Sequence, residues 1–144
     1  MLRVGMRFYL KAMCDGAPYY LESVRYTLTN NNYSTGVRGG QRKQGVCVVG
    51  AASVDTQWEV AVLEPTEVAQ LESEGKPVLA NAFFALKHCS TQANLFSDAH
   101  QIPTKFGMES EVGVHTESGI AKMEWGKRGG GVGVGNHFAF TTAA

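Results

Sequence analysis

An all-β fold of the β-trefoil type, with two four-strand lobes present of an expected three and one short connecting helix, is predicted by three observations. Apolar and polar residues alternate with a period of two in several short runs. The order of those runs is repeated once along the chain. Helix punctuation occurs between the two copies.

The first run is Met6–Ala12. Met6, Phe8, Leu10 and Ala12 fall on one face of a strand, and Arg7, Tyr9 and Lys11 on the other. Asp15-Gly16-Ala17-Pro18 holds the residues that tight turns need, so Tyr19–Ser23 is read as the returning strand of a hairpin. The polar stretch from Asn30 to Lys43 carries neither period and is expected to be an exposed loop. Gly45–Gly50 is a Val-rich strand, and Gln57–Leu63 is a fourth whose apolar face is Trp58, Val60 and Val62.

Pro65–Gly75 predicts a helix. Thr66 is placed to cap its start beside Glu67, Val68 and Leu71 share a face, and Gly75 with Pro77 ends it. It is expected to be a short surface connector.

The second copy begins with Ala82–Cys89, which puts Phe84, Leu86 and His88 on one face. Asn94–Ser97 is its short return, Glu111–His115 the third strand and His137–Phe140 the fourth. Phe8–Lys11 falls on Phe84–Lys87 at an offset of 76, Leu21–Ser23 on Leu95–Ser97 at 74, and Trp58 on Phe138 at 80. The predicted organisation is therefore a lobe over 1–64, a helical connector over 65–77 and a second lobe over 78–144. A trefoil closes three such units around a pseudo-threefold axis. Two leave open edges, so a first lobe upstream, or a partner over the opening, is expected.

Composition restricts the function. The 144 residues carry 13 basic and 13 acidic side chains and are 44% hydrophobic, the profile of a globular domain. Zero formal charge provides no long-range field for a polyanion, so nucleic acid is not expected as a partner. The apolar run Ala80–Leu86 is broken by Asn81 and falls far short of the ~20 residues that span a bilayer. The first residues lack the regions of a secretory signal, so an intracellular protein without membrane contact is expected. Cys14, Cys47 and Cys89 are an odd set without a short pairing interval, as expected of reduced thiols.

Motifs that could carry chemistry are weak. His88-Cys89, His100, His115 and His137 lack the CxxC, HxxxH or HExxH spacing of a metal site, and no metal or cofactor is expected. Cys47 or Cys89 with His115 is formally a nucleophile and base. Cys47 lies inside the run Val46–Val49, however, and buried structural thiols are expected instead, with no catalytic residues. Gly126–Gly135 lacks the Gly-Lys-Ser/Thr ending and following helix of a phosphate loop and reads as a tip bearing Lys127 and Arg128. Those two, with Arg38, Arg42 and Lys43 beside Tyr33 in the other loop, are the candidate partner contacts, suited to an acidic protein surface. Glu109 and Glu111 alternate onto one strand face, expected to be the solvent side. Tyr19 and Tyr20 next to Glu22 are the candidates for an aromatic platform that binds a sugar or peptide, the lectin-like alternative.

A group of motifs is more specific. Gly75-Lys76-Pro77-Val78-Leu79-Ala80-Asn81-Ala82, His88-Cys89-Ser90-Thr91, Asn94-Leu95, Phe106-Gly107, Glu109, Glu111-Val112, His115-Thr116 and Asn136-His137-Phe138 closely resemble the cilia- and flagella-associated protein 161 family. The similarity runs almost end to end, with Leu2-Arg3-Val4-Gly5 resembling the entry to that family's middle lobe. The tract 129–135 and the loop 30–43 depart from the family pattern. More loosely, the lobes resemble MIR-type trefoil domains, which bear on fold rather than function. The resemblance implies a non-enzymatic microtubule inner protein of ciliary and flagellar doublet microtubules. Its implied partners are α/β-tubulin and neighbouring inner proteins, and its implied role is stabilising the axoneme during beating.

Overall fold

The computed structural model describes residues 1–25, 44–63, 66–115 and 136–141, at 98–100 and 102 by backbone alone. The chain forms β1 (Arg7–Tyr9), β2 (Lys11–Cys14), β3 (Ala17–Glu22), β4 (Gln44–Gly45), β5 (Cys47–Val49), β6 (Gln57–Ala61), α1 (Glu67–Ser73), β7 (Ala85–His88), β8 (Leu95–Thr104) and β9 (Gly107–Val114). Three antiparallel sheets result, in the orders β1-β6-β7, β2-β3-β5 and β4-β9-β8. The architecture is all-β with one helix, and no barrel closes among the described residues.

Strand β6 shows why these residues form strands. Trp58 and Val60 are buried while Gln57, Glu59 and Ala61 are half-buried, the alternation that a period of two imposes. On β7, Trp58 faces His88 and Val60 faces Leu86. Phe84, Leu95 and Val114 complete the fully buried core, and Leu2, Val4, Leu10 and Leu21 pack against it. Each Val, Leu or Phe so buried contributes about 1.5–3 kcal/mol. Phe140 joins the ends of the structure, with its ring 4.8 Å from Phe84 and 6.3 Å from Phe8.

The two halves use the same pairings. Phe8 lies opposite Trp58, and Phe84 opposite Phe138. Leu21 lies opposite Val48, and Leu95 opposite Val114. In both halves a buried side-chain N–H donates to the leucine carbonyl. Trp58 Nε1 reaches Leu21 O at 3.0 Å, and Asn136 Nδ2 reaches Leu95 O at 3.0 Å.

Between the halves, α1 is capped by Thr66, whose Oγ1 accepts from Ala69 N–H at 3.2 Å, and Gly75 follows at φ +77. No residue of α1 is buried. It is held by its end instead: the amide N–H of Val4 donates to Lys76 O, that of Gly75 to Val4 O and that of Val78 to Leu2 O, each at 3.0 Å. Arg3 Nη1 adds a bond to Gly75 O at 2.8 Å.

Several expectations require correction. The run Met6–Ala12 is not one strand: it breaks at Leu10, and β1 and β2 enter different sheets. Leu10 O accepts the amide N–H of Leu21 at 2.9 Å, and Met6 and Ala12 are exposed. Cys47 is exposed rather than buried, because β5 is an edge strand whose Cys47 and Val48 both face solvent. The short strands expected at Asn94–Ser97 and Glu111–His115 are the base of a long hairpin, β8–β9, which continues to a turn at Lys105-Phe106.

Candidate functional site

The basic side chains expected to meet a partner, Arg38, Arg42, Lys43, Lys127 and Arg128, lie outside the described residues, as do Tyr33 and the tract 129–135. The other candidates have definite places. Tyr19 and Tyr20 do not form a shared platform, since neighbours on β3 point to opposite faces. Tyr20 meets Tyr9 edge-on at 5.7 Å. Glu22 Oε1 accepts from the Cys47 thiol at 3.8 Å.

His88 is fully buried and ties the two halves together. Its Nε2 is 2.7 Å from Asp55 O and its Nδ1 is 2.7 Å from Thr91 Oγ1. A carbonyl oxygen only accepts, so Nε2–H donates to Asp55 O, and Nδ1 pairs with the Thr91 hydroxyl. With both nitrogens engaged, His88 is a structural cross-link. His115 meets the Phe96 ring at 5.9 Å, and the His137 ring lies 6.0 Å from Phe83. Among the described residues no three of His, Cys, Asp and Glu converge as metal ligands would.

The Cys89 thiol lies 4.0 Å from Glu59 Oε2. Partial burial pushes it above the usual thiol range, and the Glu59 charge pushes it further, against opposing Arg7 and Lys87. Cys47 is raised in the same way, by partial burial first and then by Glu22. Both surroundings disfavour the thiolate that a nucleophile needs.

Those charges form a row across one sheet. Arg7 on β1, Glu59 on β6 and Lys87 on β7 are register partners, and Lys87 is ion-paired with Glu59. The row borders an open groove of about 440 Å³ beside α1, between Val4, Val60 and Leu71. A neighbouring groove of about 360 Å³ is lined by Val62, Ala69, Val78, Leu79 and Phe83. Around them Val68, Leu71, Leu79 and Phe83 are exposed. This arrangement offers apolar contact area to a macromolecule rather than an enclosed reaction site.

Sequence reasoning missed the surface at the tip of β8–β9. A register offset between Ser97 and Gln101 inserts extra residues in β8. Beyond it, none of the side chains described over 101–110 is buried. Phe106 is 88% exposed and Met108 60%. The available signal was the turn chemistry of Thr104-Lys105-Phe106-Gly107, with its glycine after the aromatic.

Comparison with known proteins agrees with the motifs. The family model described as "Cilia- and flagella-associated protein 161-like domain" matches residues 3–128. A protein of Bos taurus named "Cilia- and flagella-associated protein 161" is 30% identical over 147 residues. That alignment covers 100% of this chain and 41% of the bovine protein, so the chain spans less than half the length of this relative. The match over 3–128, nearly the whole of the chain, shows that it belongs to the cilia- and flagella-associated protein 161 family.

Proposed function

We propose that this is a structural, non-enzymatic protein of the cilium or flagellum that binds tubulin in the lumen of doublet microtubules and stabilises the axoneme. The family match over residues 3–128 carries the ciliary part of the reading. Its surfaces support the structural part: open grooves and exposed apolar side chains suit contact with a lattice, where many equivalent weak sites add up to stable occupancy. Neighbouring inner proteins are the further partners, with Arg38, Arg42, Lys43, Lys127 and Arg128 as contact candidates.

In the same reading the two halves are lobes of a β-trefoil, with limits at 1–64 and 78–144 and the connector between them. The matched pairs Phe8–Trp58 and Phe84–Phe138 support this. β7 lies between β6 and the segment at Phe138, while β1 ends its sheet. In this reading the strands of a third lobe would lie between β1 and that segment.

The luminal assignment is tested by fractionating axonemes that carry the tagged protein. It should remain with doublets after salt has stripped the outer arms, and be released only when the doublet wall itself is dissolved. Release together with the outer arms sinks the luminal reading.

A further inference from the structure

The end of the β8–β9 hairpin stands clear of the core, yet its tip is specifically ordered. Thr104 Oγ1 accepts from Phe106 N–H at 3.1 Å and donates to Gly107 O at 3.2 Å. Gly107 sits at φ +113, a conformation in which any side chain is strained. Together these fix the turn Lys105-Phe106 and present the phenyl ring to solvent at 88% exposure. Exposed Met108, opposite exposed Pro103 in the register, extends the apolar end.

A phenylalanine left in water forgoes the free energy of burying its ring. Held on an ordered turn, it also loses little conformational freedom on docking. Lys105 is the charge at the apex. Glu109 and Glu111 lie further down β9, so an approaching surface meets the ammonium first.

We propose that Phe106, flanked by Lys105 and Met108, is a docking knob for a folded protein surface that offers an apolar pocket with a carboxylate at its rim. The identity of the partner rests on the reading above, in which that surface is tubulin. A lipid bilayer fits the hairpin less well. One aromatic and one ammonium give little insertion, and the two carboxylates behind them are repelled by anionic headgroups.

The test uses the full chain co-assembled with purified tubulin and pelleted with the resulting microtubules, as wild type, Phe106→Ala, Lys105→Glu and Met13→Ala. Met13 is an exposed apolar side chain that lines neither groove and serves as the control. Phe106→Ala should weaken binding at least about tenfold, the scale of an aromatic hot spot. Lys105→Glu should weaken it by a smaller factor that shrinks with added salt. Met13→Ala should bind as wild type, and all three variants should melt with wild type. Wild-type binding that survives Phe106→Ala overturns the knob and leaves the tubulin reading standing. Equal losses in Phe106→Ala and Met13→Ala overturn it in favour of unspecific adhesion. A wild type that fails to pellet overturns the tubulin reading and this inference with it, as does Phe106-dependent binding to phosphatidylserine vesicles in place of microtubules.

Discussion

The indole of Trp58 and the imidazole of His88 lie with ring centroids 4.8 Å apart and planes tilted by 56°, facing each other across β6 and β7. Both residues are fully buried, and each sends a polar atom to backbone of the first half: Trp58 to Leu21 O and His88 to Asp55 O. The contact therefore combines apolar burial with hydrogen bonds that direct it.

Trp58→Phe should keep most of the packing and strand the Leu21 carbonyl. The expected loss is about 1–3 kcal/mol of unfolding free energy. Trp58→Ala adds a cavity and should cost about 3–5 kcal/mol. Urea denaturation followed by circular dichroism measures both. A Trp58→Phe variant as stable as wild type would show that the indole N–H contributes nothing.

Asn136 does the corresponding work in the second half, where its Nδ2 donates to Leu95 O and, at 2.7 Å, to His115 O. Asn136→Ala leaves two carbonyls short of a donor and should cost about 1–3 kcal/mol. Hydrogen exchange should quicken at His115, whose amide donates to Asn94 O, before it does so at β6. Uniform exchange across both regions contradicts this local role.

Thr66→Ala removes the cap of α1, worth about 1 kcal/mol to the helix. Because α1 places no residue in the buried core, the global melting temperature should change little while amide exchange in Glu67–Ser73 accelerates. A large global loss would mean that α1 belongs to the cooperative core.

The thiols give a test by reactivity. Glu22→Gln should speed alkylation of Cys47, and Glu59→Gln that of Cys89, several-fold at pH 8, since each removes a carboxylate that opposes the thiolate. The folded values lie above the ordinary thiol value of 9.0, so the unfolded chain ionises first. Their contribution to stability is complete below pH 9.0 and declines as pH rises beyond it. Replacing both with serine should lessen the alkaline fall in melting temperature.

What could be read from residues alone follows from which faces are buried. Trp58 and Val60 alternate with half-buried neighbours, and Leu86 and His88 flank half-buried Lys87, so a period of two announces such strands. The cap and stop of α1 are local chemistry, visible at Thr66 and Gly75 without tertiary contacts. The distal β8–β9 hairpin has no buried face, so no apolar period marked it. Cys47-Val48-Val49 carries the composition of an interior strand, yet its place at a sheet edge is decided by pairing with distant β3. The split of Met6–Ala12 at Leu10 has the same origin, since Leu10 is claimed by Leu21. Arg38, Arg42, Lys43, Lys127 and Arg128 were chosen by charge alone and lie outside the described residues.

A helix with no fully buried residue has a practical consequence. Because α1 is anchored by the backbone around Gly75 and places no side chain in the buried core, a short epitope inserted in its middle should leave the sheets intact while covering the grooves that α1 borders. It is an internal position that spares both chain ends and stays away from the β8–β9 tip, so one insertion separates what the grooves contribute to retention in a cilium from what the tip contributes.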